Sequence, residues 1–425
     1  MNFGQCKGRG LRWHAPGAAR AALACASLTV YAAANANGPA FSGLFANANT
    51  AQDASYNPAA LTRIKDPEWV GDVVGFSTHS TDVVTATVGP VTGSTSVENS
   101  GGMAIPGLYY ARPWNERIGL GVSLSVPSGV GSDPGDATIG RYLLEQWSLG
   151  YVSLAPAVGY RVNEKFSVGV AAAVNYSLYD YKTAVFNGPG QADGTMELKG
   201  GAFGFGYRLG LLYELSPQTR LALAYRSSTS SSFDGTPDLS GLTPQREQVL
   251  QAAGVRNANV NMTTRFPQML GVGAYHEFAN GASVSFDGGW IDFAQFGLTE
   301  FSLNNNSIQT PSGKYKDIWA GTGGLNWPLN ERWTARFGAA YVSSGVNNEN
   351  RNFALRLDRI WGIGAGAEYR WGKDKSIAAD LNYYNLGPAP VTASVPGIGS
   401  LSAEYSSNYA IGLHITFRWQ NLRDG

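Results

Sequence analysis

The sequence predicts an all-β chain: a transmembrane, antiparallel, up-and-down β-barrel of about 14 strands, with an N-terminal hatch plugging the lumen. Three observations lead there. Charged residues make up only 15% of the 425 positions, against roughly a quarter in soluble domains, while aromatics reach 12% and glycine 54 residues. No apolar stretch beyond the first forty residues approaches the roughly 18 residues of a membrane helix. Segments of ten or more residues instead alternate apolar and polar, and the connections between them alternate short and long. Only helices and closed barrels satisfy every backbone polar group inside lipid, so a low-charge chain without a spanning helix points to a barrel. A mean hydropathy of −0.15 fits strands with one face to lipid and one to a polar lumen.

Residues 1–36 read as a secretory signal peptide. Lys7, Arg9, Arg12 and Arg20 supply positive charge, a small apolar run follows, and Ala34-Asn35-Ala36 is an A-x-A site, which predicts cleavage after Ala36. Both cysteines, Cys6 and Cys25, lie in this leader, so the remainder crosses an oxidising periplasm without thiols to mispair. Those four basic residues, and none of the 31 acidic ones, precede residue 37, so the rest is slightly acidic and gives no support to nucleic-acid binding.

Residues 37–67 form the expected hatch. They are rich in Ala, Asn, Gly and Ser and contain Asn57-Pro58-Ala59. They have neither strand alternation nor the charge of a disordered tail. They precede the first strand, so they start at the periplasmic mouth and are long enough to fold into the lumen.

Residues 68–419 form the expected barrel. Phe166, Val168, Val170, Ala172, Val174, Tyr176 and Leu178 share one face against Ser167, Gly169, Ala171, Ala173, Asn175 and Ser177. Trp361 to Trp371 and Tyr409 to Trp419 repeat the device. Such segments exceed the 5–6 residues usual for strands of soluble sandwiches. Tight connections fall at 113–116, 162–164, 215–218, 279–281, 328–331 and 372–374, and long polar loops at 78–100, 128–147, 233–261, 298–313 and 387–403. Short periplasmic turns and long outer loops are the habit of outer-membrane barrels, and an even strand count puts both barrel ends on the periplasmic side. Trp114, Trp327, Trp333, Trp371 and Trp419 bracket the tight turns and are expected to form a periplasmic girdle. Residues 420–425 are left as a C-terminal tail.

Three groups of residues carry a family resemblance. The first is Ala40-Phe41-Ser42-Gly43 through Ala51-Gln52-Asp53-Ala54-Ser55-Tyr56-Asn57-Pro58-Ala59-Ala60-Leu61. The second is Gly119-Leu120-Gly121-Val122, then Pro127-Ser128-Gly129 and Gly140-Arg141-Tyr142. The third is Ala155 to Ser167, with Tyr160-Arg161-Val162-Asn163-Glu164-Lys165 at its centre. In this order they resemble the FadL/TodX family of outer-membrane long-chain fatty-acid and aromatic-hydrocarbon transporters; the second half of the chain is similar by barrel pattern only. Two places depart from the family. The chain continues past Phe417 and Trp419 instead of ending on an aromatic residue, and residues 130–136 lack the family's aromatic-rich stretch.

The resemblance implies passive uptake of a hydrophobic small molecule. Substrate is caught at the outer loops, passes a pocket in the barrel, and leaves sideways beside a kinked third strand against which the hatch packs. It implies a monomer in contact with outer-membrane lipid and lipopolysaccharide, folded by the barrel-assembly machinery. The residues agree with such an exit. Residues 117–127 form the expected third strand; Pro127 cannot donate a ladder hydrogen bond, and Gly119, Gly121 and Gly129 weaken the wall. Asn57, held by Pro58 and followed by Ala59, is the expected partner for backbone groups left open there. Arg141, Tyr142, Leu143, Leu144 and Trp147, in the loop after the third strand, are the expected outer substrate contacts; Arg141, in a matched motif, is taken as the cation for a carboxylate over Arg208, Arg226 and Arg336, since a lumen-facing arginine more often pairs with a barrel carboxylate.

No cofactor and no metal are expected. The sequence holds no G-x-x-x-x-G-K-[ST] loop and no His/Cys cluster with metal spacing; His79, His276 and His414 are far apart. Two rival readings are a general hydrophilic porin and an outer-membrane barrel lipase. The first does not need a hatch; the second needs a nucleophile with a base, and no G-x-S-x-G elbow is present.

Overall fold

A computed structural model describes residues 38–420, apart from 89–90, 138, 305, 309–314, 352–354 and 396–398. The expected signal peptide, with both cysteines, and residues 421–425 lie outside the described residues.

Fourteen strands run in sequence around a ring: β1 Glu68–Val88, β2 Val91–Pro113, β3 Ile118–Ser132, β4 Gln146–Arg161, β5 Phe166–Val185, β6 Gly194–Glu214, β7 Thr219–Arg226, β8 Met269–Glu277, β9 Ser283–Ile291, β10 Ile318–Pro328, β11 Trp333–Val342, β12 Ile360–Arg370, β13 Lys375–Asn385 and β14 Gly399–Gln420. Each pairs antiparallel with its neighbours, and β14 returns to β1 from Glu68 opposite Gln420 to Val88 opposite Gly399. Closure pairs every strand with a neighbour on both sides over at least part of its length. Gln420, assigned to the tail from sequence, belongs to the last strand because it continues the ladder to Glu68.

The alternation is the lipid–lumen division. Along β6, Phe203, Phe205, Tyr207, Leu209, Leu211 and Tyr213 are exposed outward, while Arg208 and Leu212 are buried inside. Leu154, Val170, Phe286, Ile363 and Leu381 are likewise 48–63% exposed on other strands. An apolar surface running round the whole molecule has no place in water, at about 25 cal/mol per Å², and every place in a bilayer. Trp69, Trp114, Trp327, Trp333, Trp371 and Trp419 all stand exposed at the end carrying the tight turns. Trp69 packs at a tilt against Tyr110 and Trp333 against Tyr369, with ring centres 4.6 and 4.7 Å apart.

The tight turns have a local cause. The Asn115 side chain accepts from the amides of Arg117 and Ile118, Asn163 from Lys165 and Phe166, and Asn330 from Arg332 and Trp333. The repeated Asn-Glu-Arg/Lys is thus an Asx turn that reverses the chain in a few residues.

At the other end the strands run further than the sequence pattern predicts. Of residues 78–100, expected as a loop, 78–88 and 91–100 are the paired upper halves of β1 and β2. Two short strands, Asp238–Ser240 and Val391–Val395, extend β6 and β14 outward. A separate small sheet of Thr229–Gly235, Val260–Phe266, Gly297–Leu303 and Asn306–Ile308 stands in the outer loops. Phe233, Met262, Phe266, Phe293 and Phe296 from these loops pack with Val130, Leu149 and Tyr151 of β3 and β4 in one apolar cluster.

Candidate functional site

Residues 38–66 lie inside the barrel, against inward-facing side chains. The segment is three short 3-10 turns, Pro39–Phe41, Ala51–Ser55 and Pro58–Arg63, joined by extended chain. Thr50 and Asp53 form a capping box on the second, and Asn57 caps the third by accepting from the Ala59 amide. Ala40, Phe41 and Ala48 sit at positive φ, a conformation that non-glycine residues adopt only where their surroundings hold them.

Barrel side chains hold the segment mainly by its backbone. The Asp287 carboxylate of β9 accepts from the amides of Gly43, Leu44 and Phe45 at 2.8, 3.0 and 3.2 Å. Arg220 of β7 donates to the carbonyls of Ala46 and Asn47. Asn382 of β13 accepts from the Ala40 amide, Glu68 from that of Ala51, and Arg161 donates to the Thr62 carbonyl. Arg63 pairs with Glu214, and Arg418 bridges Glu68 and the Asn49 carbonyl. Irregular chain is possible at this depth because the wall supplies a partner for its polar groups.

Two glycines show how closely the segment approaches. A Cβ at Gly119 would overlap the Leu61 backbone, and one at Gly169 would overlap Pro58 and Ala59. Gly119 and Gly121 therefore give room for Leu61. The ladder through them is intact on both sides, to Pro113 and Ala111 of β2 and to Gly159 and Ala157 of β4. The expectation that they weaken the wall is corrected accordingly.

The weak place lies higher. β2 and β3 pair from Pro113 opposite Gly119 only as far as Leu108 opposite Leu124. Beyond that, β3 continues to Ser132, five residues past the predicted end at Pro127, but pairs only with β4. Its register shifts between Ser125 and Ser128, so Val126 and Pro127 oppose a single residue of β4. Pro127, lacking an N–H, sits inside this bulge, and Gly129 above it faces Gly150 of β4. The wall is thus open between β2 and β3 above Leu108 and Leu124.

The expected residues divide. Pro58 and Ala59 lie against β4 and β5 at Gly159 and Gly169. Asn57 does not serve β3: its amide donates to Phe45 within the segment, at 3.0 Å, and to the Leu211 carbonyl of β6, at 3.1 Å. It is the β6 side of the barrel that receives it, because Gly210 leaves space for its side chain. Arg141 lies in the 3-10 turn Ile139–Tyr142 and forms an ion pair with Asp193 at 2.9 Å; the Tyr142 hydroxyl donates to the same carboxylate. Burial pulls the Arg141 pKa down, and Asp193 more than offsets this, so the guanidinium stays charged and engaged. Leu144 is buried and Leu143 half-buried in an apolar cluster with Val84, Ala86, Ile139, Leu401 and Ala403. Trp147, expected in a loop, is the second residue of β4 and touches both this cluster and the larger one around Tyr151.

Sequence reasoning missed Asp287, and it weighed Arg208 and Arg226 as cations on polar faces but set them aside for Arg141. Each had a legible signal, a charge on the inward positions of an alternating strand, but nothing to say what it faces. On the periplasmic side a polar cavity of about 530 Å³ remains beside the segment, lined by Asn47, Gln52, Tyr275, Arg336, Glu368 and Arg418. Next to it His414 lies 3.5 Å from Asp72 and 3.9 Å from Asp380, which also pairs with Arg336.

This geometry has relatives. Residues 16–419 match the family model described as outer membrane protein transport protein (OMPP1/FadL/TodX). The chain is 26% identical over 379 residues to the long-chain fatty acid transport protein of Escherichia coli O6:H1, covering 81% of this chain and 83% of that one. It is 24% identical over 437 residues to outer membrane protein P1 of Haemophilus influenzae, covering 91% and 92%. Among solved structures it resembles a Pseudomonas aeruginosa FadL homologue, with a TM-score of 0.80 at 19% identity over 92% of this chain and 98% of that one. It also resembles the Ralstonia pickettii toluene transporter TbuX, with a TM-score of 0.64 at 17% identity over 92% and 98%.

Proposed function

The chain belongs to the OMPP1/FadL/TodX family of outer-membrane barrels, and from that premise we propose that it carries hydrophobic small molecules, long-chain fatty acids or aromatic hydrocarbons, passively across the outer surface and sideways into the membrane. The observation that carries this reading is the opening between β2 and β3, where pairing stops at Leu108 and Leu124 beside the bulge at Pro127. A solute leaving there passes from the barrel interior into lipid without entering the periplasm. Residues 38–66 act as a hatch that denies the direct route to the periplasm, and the apolar outer cluster around Phe233, Phe266 and Tyr151 receives the solute first. The barrel works as a monomer and reaches the membrane through the barrel-assembly machinery.

Two readings lose ground. A hydrophilic porin has no use for a buried segment gripped by Asp287, Arg220 and Arg161. A barrel lipase needs a base poised on a nucleophile. His414 faces Asp72, Asp380 and the Thr416 hydroxyl, and His276 the Thr219 hydroxyl, with no assembled triad around either.

The test is uptake of labelled oleate and of toluene by cells lacking their own transporter. The wild-type chain should restore one or both, and replacing Asn57-Pro58-Ala59 by glycines should change the rate while the barrel stays folded. Rapid entry of sugars into liposomes carrying the protein, with no effect on either apolar solute, would instead establish the porin.

A further inference from the structure

The small outer sheet continues the barrel. β7 and β8 pair from Thr219 opposite His276 up to Arg226 opposite Met269. Thr229–Gly235 and Val260–Phe266 pair from Thr229 opposite Phe266 up to Gly235 opposite Val260. The two ladders share one register. Only Ser227, which would face Gln268, and Ser228, which would face Pro267, separate them. The outer pair is therefore the upper half of the β7–β8 hairpin, interrupted at two positions and bent. Pro267 has no N–H to give a ladder, which favours the break there. Ser227 still bonds to β6: its amide donates to the Tyr207 carbonyl at 3.0 Å, and its hydroxyl accepts from the Tyr207 amide at 2.9 Å. Gln268 is braced by the Tyr225 hydroxyl and by Asp292. The bend thus begins at Ser228.

The bend carries the upper half over the bore. The Thr229 hydroxyl accepts from the Asn175 side-chain amide at 2.8 Å, and the Ser231 hydroxyl meets that of Ser177 at 2.8 Å, both on the inner face of β5. A Cβ at Gly204 of β6 would overlap Thr229, Ser230 and Ser231, so the strand lies where the inner face of β6 is bare. Phe233, Met262 and Phe266 then close the outer mouth against Val130, Leu149 and Tyr151.

Two sheet edges are left open by this. β6 pairs with β7 from Glu214 up to Arg208, and with the short strand Asp238–Ser240 from Glu197 to Thr195. Residues 198–206 have no ladder partner on that side. Thr229–Gly235 is an end strand of the small sheet and has none on the side away from Val260–Phe266. The same two ladders fasten both edges, below at Arg208 with Arg226 and above at Glu197 with Asp238. Between these pairs the inner chain is one residue longer than β6, which a single bulge absorbs. Phe203 and Phe205, 66% and 72% exposed, set the bare edge beside lipid, where unpaired backbone is costly.

We propose that the upper half of the β7–β8 hairpin is a hinged outer gate, turning about Ser228 and Pro267. Swung in, it seals the outer mouth and leaves the β6 edge bare. Swung out, it zips Thr229–Gly235 onto residues 198–206, completes the wall, and uncovers Val130, Leu149 and Tyr151 to cargo from outside. Its pairing with Val260–Phe266 is kept throughout, and Gly297–Leu303, paired to that strand and not to the wall, rides with it. The ladder gained on β6 offsets the apolar contacts given up, as a switch between two discrete packings requires. The proposal rests on the transport reading and adds to it a gate at the end opposite the hatch.

The experiment locks the gate shut and, separately, pries it open. Residues 37–425 contain no cysteine, so an introduced pair has no rival thiol there. Ser177→Cys with Ser231→Cys, once oxidised, should cut oleate uptake by cells lacking their own transporter at least tenfold. Dithiothreitol should restore it to within twofold of wild type, and each single cysteine should leave it unchanged. In the second arm, a membrane-impermeant maleimide is added to purified Leu149→Cys protein in phospholipid nanodiscs. Adding Gly204→Val, which pushes the strand off its seat, should speed labelling at least fivefold. Heat-modifiable migration on gels reports whether each barrel folds, and either arm decides where the other variant does not fold or oxidise. Cross-linked protein that takes up oleate at the wild-type rate overturns the gate, and so does a labelling rate that Gly204→Val leaves unchanged. A wild-type chain that restores no uptake overturns the transport reading instead, and the labelling arm still decides the gate.

Discussion

Substituting Asp287 by alanine should loosen the hatch without breaking the barrel. Its carboxylate gathers three consecutive amides of the hatch, Gly43, Leu44 and Phe45, and takes a fourth, longer bond from the Thr322 hydroxyl on the adjacent strand. A hydrogen bond to a charged group contributes about 1.5–3 kcal/mol. Three such bonds set a ceiling of about 5–9 kcal/mol, but the released amides can be hydrated from the polar cavity below, and Arg220, Asn382 and Glu68 keep their own grips. A net loss of about 3 kcal/mol is the reasonable working value, and at about 1.4 kcal/mol per tenfold it shifts the docked-to-undocked ratio on the order of a hundredfold. The ladder through Asp287 uses backbone groups, so the barrel should keep its heat-modifiable migration. Two readouts apply: protease cutting within residues 38–66 of the protein in vesicles, and ion conductance in planar bilayers. Both should rise well above wild type. Unchanged protection together with unchanged conductance would refute the view that this carboxylate is what pins the hatch.

Other expectations follow from the same contacts. Gly169→Ala adds a methyl that overlaps Pro58 and Ala59, so it should displace the third 3-10 turn and alter oleate uptake; normal uptake with an unshifted hatch in a solved structure of the variant would count against the close-approach argument. Asn57→Ala removes a cap and two donated bonds and should destabilise hatch docking by about 0.5–2 kcal/mol from the cap alone, visible as faster hydrogen exchange at Ala59 and Ala60. Asp82→Ala breaks the buried 2.7 Å pair with Arg356 that ties the β11–β12 loop to β1. It should cost about 3–5 kcal/mol locally and expose that loop to protease, whereas an unchanged digestion pattern would place the tie elsewhere.

How much of this the sequence made legible differs by element. The alternation in Phe166 to Leu178 and Tyr409 to Trp419 is forced by having lipid on one side and lumen on the other, so those strands could be read directly. The upper halves of β1 and β2 could not, because past the membrane the outward face is wet and the inward face packs under the outer loops through residues as small as Val84 and Ala86, so the apolar–polar contrast fades into Thr, Ser, Ala and Val. The β-branched residues there were the remaining sign of strand. The hatch was legible as a segment that fits no strand, yet its contacts were not: Asn57 meets Leu211 across 154 positions, a proximity set by barrel curvature and by no local pattern. The glycines of β3 misled for a related reason, since a glycine that weakens a strand and one that admits a neighbour look alike until the neighbour is seen.

The short join between β2 and β3 has one more implication. Six residue pairs, Leu108 with Leu124 down to Pro113 with Gly119, fasten the wall there, and Leu61 presses on that seam from within. Whatever draws the inner segment away also removes the backing from the thinnest stitching in the cylinder. On the proposed lateral route, stopper and side door share this one seam, and cargo arriving behind the kink would work both without any external energy source.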